Sequence, residues 1–184
     1  ISLSKDVQNE IQELVNDPDS PLPESNADNA LFEYPGTSPI NYFPLYDILS
    51  EDATDAGYRL SKTLVDQLVT TEDPRLPLYA MPNSEGEYAG LENGVAASSG
   101  VIDNYSRVNT GYGSKTRAGV FLSYSEVQFL LAEAASRQFI SGDPESYYNE
   151  AIRANFLNLG LSENDYQAFI ESGGGGFAAF ARDV

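Results

Sequence analysis

Histidine, cysteine and tryptophan are absent from this chain, and methionine occurs once. Without cysteine there are no disulfides, thiol nucleophiles or cysteine-ligated zinc. Without histidine the commonest general base and the commonest zinc ligand are gone. An enzyme made from the remaining residues would rely on a carboxylate pair, a lysine or a tyrosine. Positive charge is scarce as well: 10 Lys and Arg stand against 28 Asp and Glu, a formal net charge of −18. A surface of that sign repels phosphate backbones and anionic lipid, which argues against nucleic-acid binding and charge-driven membrane adsorption. Solubility is the plain reading of the acidity. No apolar run approaches the length of a transmembrane helix. No basic segment with an apolar core opens the chain as a signal peptide would, and a start at Ile1 is expected of a mature or trimmed segment.

What is present is enough for one domain with a real core. The 184 residues are 41% hydrophobic, and 12 Tyr with 9 Phe supply the aromatic mass. The pattern predicts a helix over 3–17, with Ser4 as cap and Val7, Ile11, Leu14 and Val15 on one face. Asp17-Pro18 ends it, because proline disfavours the α region in the residue before it. Residues 18–57 form a long irregular segment rich in proline. It also holds Phe32, Tyr34, Tyr42, Phe43 and Tyr46, more aromatics than a solvated linker needs. A helix is predicted over 61–71, capped by Ser61, with Leu64, Val65, Leu68 and Val69 as its apolar stripe. Residues 72–121 read as loop, with Asn93-Gly94 as the clearest turn and room for a short edge strand after Val95.

A helical hairpin follows over 123–160. Ser123 and Glu126 fit a capping box, Asp143 caps the second helix with Pro144 in its first turn, and Gly160 suits its end. The expected helices run from Glu126 to Phe139 and from Pro144 to Leu159, with a buried seam through Leu130, Ala134, Ile152 and Phe156. Alanines at 132, 134, 135 and 151 allow close approach, as in stacked α-solenoids. A short helix over 162–172 starts at Ser162 and Asp165. Several apparent motifs carry little. Asp52 with Asp55, and Asp17 with Asp19, lack EF-hand spacing, so no metal site is expected. The glycines from Gly173 to Gly176 are not a phosphate loop, since neither a preceding strand nor a GKS or GKT accompanies them.

The hairpin also carries a resemblance. The run YSEVQFLLAEAASRQFISGDPESYYNEAIRANFLNLGLSENDY (Tyr124–Tyr166) resembles the hairpin of the SusD/RagB-like outer-membrane lipoproteins of Bacteroidetes, within them the starch-binding-associated SusD-like subgroup. The upstream blocks LSKTLVDQLVTTEDPRLPLYA (Leu60–Ala80) and GEYAGLENG (Gly86–Gly94) match in the same order. The resemblance implies an all-α fold of TPR-like helical hairpins with long irregular loops, the whole chain being part of one SusD-like domain. It implies a lipid-anchored protein on the extracellular face of the outer membrane that hands glycans to a TonB-dependent, SusC-like transporter. Members are longer and carry an N-terminal lipidated cysteine, so the chain is expected to be an internal segment whose anchor lies outside it.

Sugar binding needs a flat aromatic face beside planar polar groups that bond adjacent hydroxyls. Two clusters qualify. DNYSRVNTGYG offers Asn104, Tyr105, Arg107, Asn109 and Tyr112, and the proline-rich segment offers Tyr42 and Tyr46 beside Asn41. Packing is the competing role for each tyrosine, and the lack of tryptophan weighs against a stacking site. In EDPR, Asp73 is expected to hold a turn and Arg75 to pair with a nearby carboxylate. The glycines of GEYAGLENG are expected to permit tight turns. The functional expectation is non-enzymatic oligosaccharide binding with no cofactor. Its alternatives are an acidic two-carboxylate glycosidase and a TPR-like protein-interaction scaffold.

Overall fold

The computed structural model describes residues 5–49, 58–95 and 102–176. Ser4, the Asp52/Asp55 pair and the segment after Gly176 lie outside the described residues. The chain forms two compact units, Ile1–Ala30 with Val120–Val184, and Leu31–Gly119. Seven α-helices and four strands of two to four residues are present among the described residues, in keeping with the all-α expectation. No helix among them is long and apolar enough to cross a membrane.

The first unit contains α1 (Lys5–Asn16), α5 (Tyr124–Ser136), α6 (Pro144–Asn158) and α7 (Glu163–Glu171). Ser123 Oγ accepts from the N–H of Glu126, and Asp143 accepts from the N–H groups of Glu145 and Ser146, so α5 and α6 start where the caps predict. Ser162 and Asp165 close a reciprocal capping box on α7. Helix α5 ends three residues before the expected Phe139. Gln138 enters the left-handed region (φ 60°), and Phe139 N–H turns back to the carbonyl of Ala134. Gly160 does the same job after α6 at φ 83°, without a Cβ to strain it.

Antiparallel α5 and α6 pack on each other, and α7 packs on α6. Ser125 meets Ala151 near one end of the hairpin, and the rings of Phe129 and Tyr148 meet edge-on further along. Ala132 lies on the same α5 face as Ser125 and Phe129 and is fully buried. The apolar centre lies between α6 and α7, where Ile152, Phe156, Tyr166 and Phe169 cluster. Phe156 stands edge-on to Tyr166 at 6.0 Å and tilted to Phe169 at 5.2 Å. Of the expected seam residues, Ile152, Phe156 and Ala134 are buried, the first two in the α6–α7 cluster, but Leu130 is 56% exposed. Leu130 shares a face with Val127, Leu131 and Ala134. That face lines an open apolar groove of about 410 Å³ beside Ile11, Leu14 and Val15 of α1.

The second unit contains α2 (Tyr46–Leu49), α3 (Lys62–Thr70) and α4 (Leu76–Tyr79). The chain passes between the units at β1 (Ala30–Phe32) and β4 (Gly119–Leu122). Strand β2 (Ala80–Met81) pairs antiparallel with β3 (Arg107–Val108), which is the short strand expected after Val95. Ser61 sits at the N-cap of α3, yet its hydroxyl is buried without a hydrogen-bond partner among the described residues. The expected side-chain cap is not made, and the N–H of Lys62, the first residue of the helix, donates to the Leu91 carbonyl at 2.8 Å. That close approach explains Gly90, where a Cβ would stand 2.4 Å from the Lys62 backbone. Of the expected α3 stripe, Val65 and Leu68 are buried, while Leu64 and Val69 are over 40% exposed. A helix of nine residues turns only a narrow face to a core this small. Asp73 is buried and accepts from the N–H and guanidinium of Arg75, so the expected turn and the expected ion pair are one structure.

Candidate functional site

The second unit gathers two aromatic clusters, each carrying a cation. Tyr42 ends the 3-10 turn Pro39–Asn41, and Tyr46 opens α2 one helical turn later. Asn41 is used in building this loop: its Oδ1 accepts from the N–H groups of Thr37 and Ser38. The Tyr42 and Tyr46 rings meet edge-on at 5.1 Å. Lys115 Nζ lies 4.8 Å from the centroid of the Tyr42 ring and 5.0 Å from that of Tyr46. The Lys115 carbonyl accepts from Phe43 N–H at 2.9 Å, which fixes the backbones of the two loops together. The Tyr46 hydroxyl, followed by Tyr42, holds the Lys115 ammonium above its ordinary pKa. A stacked cation is attracted by the negative faces of the rings.

The second cluster is built on the 3-10 turn Thr110–Gly113, against which α2 packs. Asn109 caps that turn through Gly111 N–H, and its amide nitrogen donates to the Pro77 carbonyl at 2.9 Å. Tyr112 on this turn lies beside Tyr79, centroids 6.2 Å apart, with the Arg117 guanidinium 4.0 Å over its ring. Burial raises the Tyr112 pKa, Tyr79 adds to the rise, and Arg117 opposes it.

Of the sequence-predicted residues, Tyr42, Tyr46 and Tyr112 fall in these clusters. Asn109 spends both polar side-chain atoms on the fold. Asn104 ends the 3-10 turn Ile102–Asn104, and its carbonyl accepts from Asn83. Tyr105 follows it and is half-buried, and Arg107 lies half-buried on β3. Sequence reasoning missed Lys115, Arg117 and Tyr79. For the two cations a signal was available, because residues 104–125 contain no Asp or Glu in a chain that has 28.

The chemistry offered is flat half-exposed rings beside nitrogen donors, suited to hydroxyl-rich ligands. No group of three or more potential metal-ligating side chains occurs among the described residues. A smaller polar recess of about 280 Å³ lies in the first unit beside Tyr124, Glu150 and Arg153. Arg153 there bridges Glu150 and Glu163.

Residues 1–181 match the model of the SusD-like family described as "Starch-binding associating with outer membrane". Among solved structures, a SusD homolog from Bacteroides fragilis NCTC 9343 is 28% identical, with a TM-score of 0.76. The match covers 93% of this chain and 42% of that one. A second SusD homolog from the same organism is 25% identical, with a TM-score of 0.74 and coverage of 89% and 40%. A chitin-binding protein is 26% identical, with a TM-score of 0.68 and coverage of 81% and 36%. The chain thus spans less than half the length of each of these structures. Comparison with curated proteins gave no match. The ordered hairpin, the loop blocks around Gly90 and the match over nearly the whole sequence lead to one conclusion: the chain belongs to the SusD-like family.

Proposed function

We propose that the protein binds oligosaccharides at the outer membrane without transforming them, and passes them to a SusC-like, TonB-dependent transporter. The ligand surface comprises the Tyr42–Tyr46–Lys115 and Tyr79–Tyr112–Arg117 clusters, with Asn104, Tyr105 and Arg107 on the neighbouring loop. The observation that carries this reading is the pair of half-exposed tyrosine clusters with a donor cation on each. Rings of this kind stack on the apolar face of a pyranose while nitrogen donors bond its hydroxyls. Membership of a family described as starch-binding, and likeness to a chitin-binding protein, support the ligand class. The family description also supports the outer-membrane location.

Absence of catalysis is part of the proposal. Without histidine or cysteine, hydrolysis would fall to two carboxylates about 5–10 Å apart across a sugar site. The proposed clusters contain none. The test is a glycan array followed by calorimetric titration of the intact protein, with product analysis on every glycan bound. Binding without products, weakened by Tyr42→Ala or Tyr112→Ala, is the expected result. Hydrolysis products would favour the glycosidase, and binding of proteins but no glycan would favour a scaffold.

A further inference from the structure

Arg59, Lys62, Arg75, Arg137 and Arg153 each pair with a carboxylate. Arg107, Lys115 and Arg117 form no such pair among the described residues. These three fall within eleven positions, inside the acid-free run 104–125, in a chain with only ten Lys and Arg. Lys115 rests on two tyrosine rings and Arg117 on a third. The chain thus pairs five of its cations with carboxylates and leaves two of the three unpaired ones resting on the aromatic surface.

We propose that the ligand of this surface is an anionic oligosaccharide, carrying carboxylate or sulfate groups, rather than a neutral one. The inference rests on reading the tyrosine clusters as the glycan site. A neutral sugar needs donors and acceptors in equal supply, and carboxylates usually provide the acceptors. Here the charged groups are donors only, and a donor-only surface is matched by an acceptor-rich, negatively charged ligand. The overall charge of −18 does not forbid this. At physiological ionic strength, exposed charges more than about 8 Å away are largely screened, so the local cations decide.

The experiment titrates the intact protein with an oligogalacturonate, a sulfated oligosaccharide, a maltooligosaccharide and a chitooligosaccharide, at about 0.05 M and about 0.5 M salt. At least one anionic probe should bind more tightly than both neutral ones, and its binding should weaken at high salt. The K115Q/R117Q double variant should bind it roughly tenfold or more weakly. The two anionic probes separate carboxylate from sulfate recognition. The salt dependence of the unaltered protein needs no variant, so a misfolded mutant cannot mask the answer. Salt-insensitive binding of neutral glycans only, lost in Tyr42→Ala, would overturn the anionic inference and leave the site standing. Glycan binding unaffected by Tyr42→Ala, Tyr46→Ala and K115Q/R117Q would remove the site itself, as would no binding of any glycan.

Discussion

Ser125 Oγ donates a 2.7 Å hydrogen bond to the carbonyl oxygen of Ala151, and this buried contact joins α5 to α6. Small residues bring the helices close enough for a serine to reach a neighbouring backbone. Ser125→Ala should cost about 0.5–1.5 kcal/mol, the net worth of one buried hydrogen bond. Ala151→Leu should cost more, about 1–3 kcal/mol, because Ala151 is fully buried against the partner helix. Ala134→Leu should be milder, since Ala134 borders the open groove beside α1. Denaturant unfolding of the three variants gives the order. Equal losses at 134 and 151 would mean that the groove is filled in the intact protein.

The Asp73–Arg75 pair is a buried ion pair inside a tight turn, with the Asp73 side chain only 3% exposed. Removing one partner of such a pair strands the other. Asp73→Ala should lower stability by roughly 3 kcal/mol, and Asp73→Asn by less, because the amide oxygen can still accept from Arg75 N–H. Thermal melts of both variants check this, and an unchanged melting temperature for Asp73→Ala would refute it.

Asp143 and Asp165 hold α6 and α7 at their N-termini, and both carboxyls are pushed below the ordinary value of 3.8. The Ser146 hydroxyl is the main cause for Asp143, and the Ser162 hydroxyl for Asp165. A depressed carboxyl stabilises the fold above its unfolded pKa. That contribution is lost as pH falls through the lower, folded value. Stability should therefore hold down to the ordinary Asp range and decline in more acidic solution. Asp143→Asn with Asp165→Asn should flatten that decline while leaving other acids to titrate. Unfolding curves between about pH 5 and pH 2 test this.

Tyr105 and Tyr46 should separate binding from folding. The Tyr105 side chain has no ring or hydrogen-bond partner among the described residues, so Tyr105→Ala should weaken ligand binding by about 1–2 kcal/mol with little change in melting temperature. Tyr46 packs on Tyr42 beneath Lys115, so Tyr46→Ala should reduce both. Calorimetry beside melting curves decides. A sharp loss of stability with intact affinity in Tyr105→Ala would make that ring a packing residue.

The sequence by itself determined the hairpin, its caps and the family. Each of these depends on residues close together in the chain: Ser123 on Glu126, Asp143 on Ser146, Gly160 on the turn it closes. Helix periodicity is equally local, and it puts Leu130 and Ala134 on one face, as observed with Val127 and Leu131 beside them. Which of two apolar faces meets α6 is not a local property. Tertiary packing chose the face of Ser125, Phe129 and Ala132, and left Leu130 exposed. The same division runs through the site. Tyr42, Tyr46 and Tyr112 were legible as aromatics in unusual loops. Their partners Lys115 and Arg117 were not, because a bond from Phe43 to the Lys115 carbonyl, about seventy residues away in sequence, brings them together. Ser61 shows the reverse case: its local capping signal was sound chemistry, but no cap bond forms where the Gly90–Leu91 backbone, distant in sequence, packs against the start of α3.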